Sequence, residues 1–360
     1  MDEDVHAPYL GTLMNRRDWL RLAGSFTWAG LAGCGSMGSG SGSGTSSFTV
    51  SDRTKRMLGS GGAAFGVWQG MRTMESNKLG ERLGSLSLTK SVAALMAVRA
   101  ISEGWLSADA PLTDVIPEWK SDSGKSRVTV RMLVNQSAGF APSPAALYRG
   151  TVPDKGKRAI ALPLVDAPGT RFRYGPACWE ILGEVMHRKL SAKGSSLEAF
   201  ARQVTRRIGL SSPDWRKDGK DRYYLSTGAE FSVRDLGQLG RTLGKLATGK
   251  NDAGLDAAIF RDLSSPRSAN PMFGAGIWWN RNARRAGAMA VEPERVLDGV
   301  YDPGFWSRAC LSPTADPGWM ALVGSGGKRV YVLPERNIII ARMGRAYGWN
   351  DGVFLNGVRG

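Results

Sequence analysis

Apolar residues recur along the chain at two spacings, and each spacing predicts a different kind of element. Helical spacing follows Ser87 and continues to Gly104, a residue that favours a helix stop, and it returns between Trp179 and Leu190. Short apolar runs lie on both sides of residues 325–328 and predict two strands joined by a glycine turn. The second helix has a predicted solvent-facing side that consists of Glu180, Glu184, His187 and Arg188.

The first 34 residues have the pattern of an export signal. Arg16 and Arg17 precede a weakly apolar run that continues to Leu31, which is typical of twin-arginine signals. The run ends in Leu31-Ala-Gly-Cys34, which resembles the lipobox of bacterial lipoproteins, where the cysteine is acylated. The alternative is a cytosolic N-terminal helix with an incidental cysteine.

Residues 35–47 are almost entirely glycine and serine, so they cannot form a core and predict a flexible tether of roughly 20 Å. The expected organisation is therefore a signal over 1–34, this linker, and a globular domain over 48–360. We expect an exported protein on the periplasmic side that is anchored to a membrane through the lipid on Cys34. Whether Met1 or Met14 is the true start stays open.

Composition narrows the chemistry of the domain. The net charge is +16, but the lysines and arginines are scattered along the chain, so no nucleic-acid partner is expected. The chain has two histidines, His6 and His187, so a histidine triad or histidine metal site would depend on His187 alone. No CxxC motif or Cys/His cluster is present, which argues against structural zinc. Pairing between Cys178 and Cys310 is left open by the sequence.

The sequence Ser87-Leu-Thr-Lys90 places a serine and a lysine three residues apart at the start of the first predicted helix. Positions i and i+3 share a helix face, so the amine can lie beside the hydroxyl. The unpaired N–H groups of a helix start favour the negative charge that develops on an attacked carbonyl oxygen. Burial beside an apolar helix would lower the pKa of Lys90 and let it accept the serine proton. An ordinary helix cap is the alternative for Ser87.

A second serine–lysine pair, Ser325 and Lys328, lies in the predicted glycine turn. Residues i and i+3 do not share a face in a turn, so this spacing does not bring the two side chains together. The context therefore favours Ser87 as the nucleophile.

Residues 104–112 and 128–140 contain segments that resemble the beta-lactamase-type serine hydrolases. This family includes class C beta-lactamases, D-alanyl-D-alanine peptidases, several esterases and 6-aminohexanoate-dimer hydrolases. The two segments are similar to the family patterns Gly-x-Leu-x-x-Asp-x-Pro and Thr-x-Arg-x-Leu-x-x-x-x-Ser-Gly, which follow its Ser-x-x-Lys motif. The family's Tyr-x-Asn motif is matched by Tyr174, with Pro176 in place of the asparagine.

The family's third motif is Lys-Thr-Gly or His-x-Gly on a strand beside the nucleophile. The equivalent here is Gly324-Ser-Gly-Gly327, which most resembles the glycine-rich version of the 6-aminohexanoate-dimer hydrolase branch. This motif contains no lysine or histidine to bind a substrate carboxylate. Lys328, which directly follows the motif, could take that role only if its side chain extended into the site. A proline also cannot make the hydrogen bonds of an asparagine side chain. Both departures argue against efficient recognition of beta-lactams or D-Ala-D-Ala.

The resemblance implies an acyl-enzyme hydrolase of esters, small amides or peptides, with no cofactor and no metal, and we expect a monomer. The alternatives are a D-Ala-D-Ala peptidase or beta-lactamase, and a catalytically silent module that binds envelope material. The implied site comprises the nucleophile Ser87, the proton-transfer groups Lys90 and Tyr174, the oxyanion N–H groups of Ser87 and Ser325, and the flanking Gly324 and Gly326.

The resemblance covers about residues 80–345 and also implies the fold, an α/β (α+β) arrangement of the beta-lactamase/transpeptidase type. We expect an antiparallel sheet flanked by helices, and a mostly helical lobe from about 112 to 245 that supplies Tyr174. The expected strands lie near 63–69, 273–280, 319–323, 328–333 and 337–343.

Overall fold

The computed structural model describes residues 48–148, 152–211, 214–297, 299–346 and 348–359. The predicted signal, with Arg16, Arg17 and Cys34, and the predicted linker lie outside these residues. Within the described ranges, no helix combines the length and the apolar character that crossing a membrane requires.

Seven of the strands form one antiparallel sheet, in the order β3-β2-β12-β11-β10-β7-β6. The strands are β1 (Thr49–Val50), β2 (Ala64–Gln69), β3 (Arg72–Asn77), β4 (Arg82–Gly84), β5 (Glu230–Ser232), β6 (Phe273–Gly274), β7 (Ile277–Trp279), β8 (Met289–Ala290), β9 (Ala309–Cys310), β10 (Met320–Gly324), β11 (Lys328–Leu333), β12 (Ile338–Met343) and β13 (Val358–Arg359). The predicted antiparallel sheet is confirmed, and its five expected strand regions all contribute to it.

The centre of the sheet is buried on both faces. Every residue of β12 is buried, and β-branched residues favour this extended, packed conformation. The register pairs Tyr331 of β11 with Ile340 of β12 and Val67 of β2 with the same isoleucine. The edge strand β3 was not predicted, because its residues are mostly exposed and polar and show no apolar alternation. Polar side chains on an edge strand discourage pairing with other chains.

Helices cover the sheet and build the second lobe. They are α1 (Asp52–Gly59), α2 (Thr89–Ser102), α3 (Val130–Val134), α4 (Pro144–Tyr148), α5 (Lys155–Ile160), α6 (Ala177–Ser191), α7 (Leu197–Ile208), α8 (Val233–Ala247), α9 (Ala257–Leu263), α10 (Pro293–Val296), α11 (Pro303–Arg308) and α12 (Asp351–Asn356). Helices α3 to α7 pack on one another through α5 and α6, as expected for the helical lobe.

Most of helix α8 lies inside the predicted helical segment of about 112 to 245, but the helix packs against the sheet strands β2, β11 and β12. Its start is fixed by a reciprocal capping box between Ser232 and Asp235. Gly240 allows the close approach, because a Cβ at that position would lie 2.7 Å from a methyl carbon of Ile339. The turn that precedes α2 packs against β10, so the start of α2 lies beside the sheet.

Candidate active site

Ser87 lies in a 3-10 turn over Leu86–Leu88 that leads directly into α2. Leu86 has a left-handed φ of 50°, a conformation that residues other than glycine adopt rarely. Helix α2 is almost entirely buried, whereas Ser87 remains partly exposed. The Ser87 hydroxyl is therefore accessible although it stands at the start of a buried helix.

Ser85, two residues before the nucleophile, holds the turn through hydrogen bonds. Its hydroxyl donates to the carbonyl oxygen of Ala229 at 2.6 Å and lies 3.0 Å from the hydroxyl of Thr89. Its backbone N–H donates to the same carbonyl at 2.9 Å. Because Ser85 is fully buried, these bonds are shielded from water and hold the nucleophile segment in place.

Lys90 projects from the first turn of α2 towards Ser87, as the spacing predicted. Its Nζ donates to Ser87 Oγ at 2.9 Å and to the carbonyl oxygen of Ser226 at 2.9 Å. Burial lowers the pKa of Lys90 to about 7, while the Glu180 carboxylate opposes this shift and the Lys155 ammonium adds to it. A substantial share of the amine is therefore neutral at pH 7 and able to accept a proton.

Tyr174 comes from the segment that precedes α6. Gln136 holds this segment, because its side-chain oxygen accepts the N–H of Gly175 at 2.6 Å. Burial raises the pKa of Tyr174 to about 12, and a hydrogen bond with Ser87 partly offsets this shift. The phenol therefore stays protonated at neutral pH. Lys90 Nζ lies 5.0 Å from the centroid of the Tyr174 ring, so the three predicted side chains form one cluster.

Pro176 occupies the position where the family motif has an asparagine. It directly precedes α6, and its carbonyl oxygen accepts the backbone N–H groups of Trp179 and Glu180, both at 3.0 Å. Pro176 also lines the pocket at Ser87 with its apolar ring. Pro176 thus contributes apolar pocket surface and a backbone acceptor at the start of α6, but no side-chain hydrogen bond.

The glycine turn between β10 and β11 faces Ser87 from the sheet side. Gly324 allows close contact with the nucleophile segment, since a Cβ there would lie 2.9 Å from the carbonyl oxygen of Ser85. Ser325 is exposed and lines the same pocket as Ser87. Lys328 Nζ lies 3.3 Å from the carbonyl oxygen of Ser325, so Lys328 stays on the turn and outside the described lining of the pocket.

Glu294 of α10 fixes this turn, and it was not predicted from the sequence. Its carboxylate accepts the N–H of Gly326 at 2.8 Å and that of Gly327 at 3.1 Å. The buried guanidinium of Arg329 donates to the same carboxylate at 2.7 Å and to Asp351 at 2.8 Å. No motif marks Glu294, because its partners are backbone groups and an arginine brought near by the fold.

The polar side of α6 is not solvent-facing, so that prediction was wrong for its two glutamates. Glu180 is 3% exposed and Glu184 is 6% exposed. Glu180 accepts the N–H of Ser226 at 3.0 Å, and Glu184 forms an ion pair with Arg222 at 2.6 Å. Other segments of the same chain cover this side of α6. Buried hydrogen-bond and ion-pair partners therefore take the place of water around both carboxylates. His187 is partly exposed.

Cys178 and Cys310 are both free and buried, so the pairing that the sequence left open is absent. Burial raises the pKa of the Cys178 thiol to about 12, which keeps it protonated and unreactive. In the part of the chain that the structure describes, no three histidine, cysteine, aspartate or glutamate side chains are grouped as a metal site requires.

A pocket of about 320 Å³ opens at Ser87. Arg173 is the cationic side chain of its described lining, and its Nε is engaged by Asp166 at 2.5 Å. The described lining therefore offers an apolar surface and hydroxyl groups, with its cation already paired. The residues that define its apolar surface are Pro142, Pro176, Leu297 and Val300.

Comparison with known proteins agrees with this arrangement. The family model of the beta-lactamases matches residues 50–356. No curated protein matches the chain.

Solved structures of the same fold include three that illustrate its range. A provisionally named 6-aminohexanoate-dimer hydrolase from Bacillus anthracis is 16% identical, with a TM-score of 0.62 over 82% of this chain and 77% of that chain. A beta-lactamase from Mycobacterium bovis is 16% identical, with a TM-score of 0.55 over 82% and 92% of the two chains. EstCE1, a hydrolase with promiscuous acyltransferase activity, is 15% identical, with a TM-score of 0.57 over 81% and 91%. At these identities the likeness shows the fold alone.

Proposed function

The chain belongs to the beta-lactamase family and is a serine hydrolase, and on that premise we propose that it cleaves neutral esters or small amides through an acyl-enzyme on Ser87. One observation carries the proposal. The Nζ of a fully buried lysine, Lys90, lies 2.9 Å from the hydroxyl of an accessible serine, at the mouth of an open pocket.

The pKa values divide the proton-transfer roles between the two partners of Ser87. Lys90, with a pKa of about 7, supplies the neutral amine that takes the Ser87 proton as Oγ bonds to the substrate carbonyl carbon. Tyr174, with its raised pKa, is a proton donor, and it protonates the leaving group as the carbonyl–leaving-group bond breaks. The proton on Lys90 then returns to the Tyr174 oxygen. Water then attacks the acyl carbon and gives its proton to the neutral Lys90. Tyr174 protonates Ser87 Oγ as the bond between Oγ and the acyl carbon breaks, and the proton on Lys90 again returns to Tyr174.

The oxyanion that forms on the carbonyl needs two N–H donors. We assign these to the backbone of Ser87, at the start of a buried helix, and to the backbone of Ser325 on the facing turn. In the described part of the chain no group accepts a hydrogen bond from the Ser325 N–H, so this donor is available to substrate. The Glu294 carboxylate supports the assignment, because it binds the next two N–H groups and so orients the turn.

The lining of the pocket supports a neutral substrate. A carboxylate-bearing lactam or peptide needs a free cation, and Arg173 is paired with Asp166 while Lys328 stays on its turn. Each missing charge-assisted hydrogen bond amounts to roughly 1.5–3 kcal/mol, or about ten- to a hundred-fold in rate. A short-acyl nitrophenyl ester needs only the nucleophile and the oxyanion donors. Two of the proteins that share the fold, the 6-aminohexanoate-dimer hydrolase and the hydrolase EstCE1, have names that describe hydrolases other than beta-lactamases.

The test uses a fluorescent fluorophosphonate, p-nitrophenyl acetate and a chromogenic cephalosporin with the purified chain. We expect labelling and ester hydrolysis, both lost in Ser87→Ala and kept in Ser307→Ala, a control at an exposed serine on α11. Cephalosporin turnover should be negligible. Cephalosporin hydrolysis at the rate of the ester would overturn the substrate assignment, and an absence of labelling would favour a silent binding module.

We also propose export and lipid anchoring, which rest on Arg16, Arg17 and Cys34 alone. Replacing both arginines by lysine should block translocation in a bacterial host. Cys34→Ala should leave the protein exported but without lipid, as metabolic labelling with a fatty acid would show. Soluble cytosolic accumulation of the wild-type chain would contradict this proposal.

A further inference from the structure

Next to Lys90 lies a buried polar cluster that the proposed mechanism does not use. Ser226 connects it to the lysine, because the Ser226 carbonyl oxygen accepts Lys90 Nζ at 2.9 Å. The N–H of Ser226 donates to Glu180 Oε1 at 3.0 Å, and its hydroxyl donates to the same oxygen. Ser226 is fully buried and Glu180 nearly so. Lys90 is therefore linked to a buried carboxylate through one residue.

A second lysine completes the cluster. Lys155 of α5 is 2% exposed, and its Nζ lies 3.6 Å from Glu180 Oε1 and 2.8 Å from the centroid of the Tyr224 ring. Its Nζ makes no hydrogen bond within the described residues. Burial removes water from the Lys155 ammonium. The Glu180 carboxylate and the electron-rich face of the Tyr224 ring partly compensate for that loss.

The charges of this cluster cannot all be balanced at once. Two buried lysines share one buried carboxylate, so the cluster would hold an excess positive charge if both amines were protonated. An uncompensated charge in a protein interior is strongly disfavoured, and such groups shift towards their neutral form. Lys155 contacts Glu180 directly, whereas Lys90 reaches it through Ser226. The proton is therefore retained better on Lys155, and Lys90 is the amine that becomes neutral.

We propose that Lys155 and Glu180 are positioning residues that set the charge on Lys90, so that a neutral amine faces Ser87 at working pH. Lys155 repels a second proton from Lys90, and Glu180 limits that effect and orients Ser226. This inference rests on the proposed function, because it assumes that Lys90 accepts the Ser87 proton. The directions of the pKa shifts agree, since Lys155 lowers the pKa of Lys90 and Glu180 raises it, and burial lowers the pKa of Lys155 itself to about 8.

Other titratable groups also surround the two amines, and the test must allow for them. Arg216 and Asp218 act on Lys155 with opposite signs. Tyr148 and Tyr174 stay protonated, because burial raises the pKa of each phenol. These two phenols therefore add no charge to the cluster at neutral pH.

The experiment measures the pH dependence of kcat/KM for p-nitrophenyl acetate in the wild type and in Lys155→Met, Glu180→Gln and the double variant. Removing the Lys155 charge should move the acid limb to higher pH, and removing the Glu180 charge should move it to lower pH. Each shift should be on the order of one to two pH units, the size expected for one charge several ångströms away at an effective dielectric of about 20. The double variant should lie between the two single variants.

Glu184→Gln is the matched control, because Glu184 is buried one turn further along α6 but is paired with Arg222 and Arg188. Its acid limb should stay within about 0.3 pH units of the wild type. A purely structural role for the cluster would lower the melting temperature without moving the limb in opposite directions.

A readout without turnover separates this inference from the proposed function. Side-chain NMR of isotopically labelled lysine follows the titration of Lys90 directly, with Lys90→Met identifying the signal. We expect a wild-type Lys90 signal that titrates near neutral pH and moves in Glu180→Gln, even if Lys155→Met does not fold. A Lys90 titration that does not change in any folded variant would overturn the inference. Loss of fluorophosphonate labelling with the NMR shifts intact would overturn the proposed function alone.

Discussion

The two walls of the pocket are built in different ways. The helical wall carries Lys90 and Tyr174 beside Ser87, and their functional atoms are held by burial and by partners deeper in the lobe. The sheet wall presents a glycine turn that is fixed by Glu294 and exposes Ser325. Proton transfer thus depends on side chains with shifted pKa values, whereas the turn contributes main-chain groups. Substitutions on the helical wall should therefore affect rate far more than substitutions on the turn.

The largest effect is expected from Lys90→Met. This change keeps an apolar stem of similar length but removes the proton acceptor beside Ser87. General-base catalysis contributes about 10²–10⁴-fold, so ester hydrolysis should fall on the order of 10³-fold. Steady-state kinetics with p-nitrophenyl acetate measures this, and thermal unfolding checks that the variant is folded. A loss smaller than tenfold in a folded variant would show that another group takes the serine proton.

The next effect is the pH dependence of the wild type. Lys90 accepts a proton only when it is neutral, and its pKa is about 7. Activity should therefore be present above that pH and be lost as pH falls, by about tenfold per unit, so that kcat/KM at pH 5 is roughly a hundredth of its plateau. Initial rates between pH 5 and 9 test this. A flat profile would contradict the assignment of the base.

A smaller effect is expected from Glu294→Ala on the sheet wall. Two N–H groups of the turn and Arg329 lose their shared acceptor. The oxyanion donor on Ser325 should then be less well placed, with kcat lower by about tenfold, which is the effect of one misplaced hydrogen bond. Ser325→Ala is the matched comparison, since it keeps the backbone N–H and should change kcat by less than about threefold. The reverse order of the two effects would show that the Ser325 hydroxyl acts on substrate.

The helical wall also shows how far sequence can predict a site. Ser87 and Lys90 were predictable because one helix turn sets their spacing, and Tyr174 because its segment resembles a family motif. The two strands on either side of residues 325–328 were predictable from apolar runs, and the other expected strands followed from the family resemblance. Strand β3 was not predicted, because its exposed polar residues give no such signal.

The groups behind the walls were not predictable from local patterns. Glu180 was assigned to a solvent-facing side of α6, because helical periodicity separates polar from apolar residues but does not show what covers the polar side. Its partner Lys155 and the linking Ser226 come from distant parts of the chain. Glu294 binds backbone N–H groups of a distant turn, and such bonds leave no trace in residue type. Long-range pairing of this kind is defined by the fold.

The smallest effect is expected from His187→Gln, which tests whether the helical wall holds any other base. His187 is the one histidine in the described residues, so a serine–histidine mechanism would have to use it. It lies ten residues beyond Ala177 on α6, which is roughly 15 Å along the helix from the end that carries Tyr174. A proton cannot pass directly to Ser87 over that distance, and Lys90 already occupies the position beside the hydroxyl. Ester hydrolysis and its acid limb should therefore match the wild type within about twofold, the scatter of a surface substitution of about 0.5 kcal/mol or less. A larger loss in kcat, with the melting temperature unchanged, would mean that His187 also takes part in proton transfer.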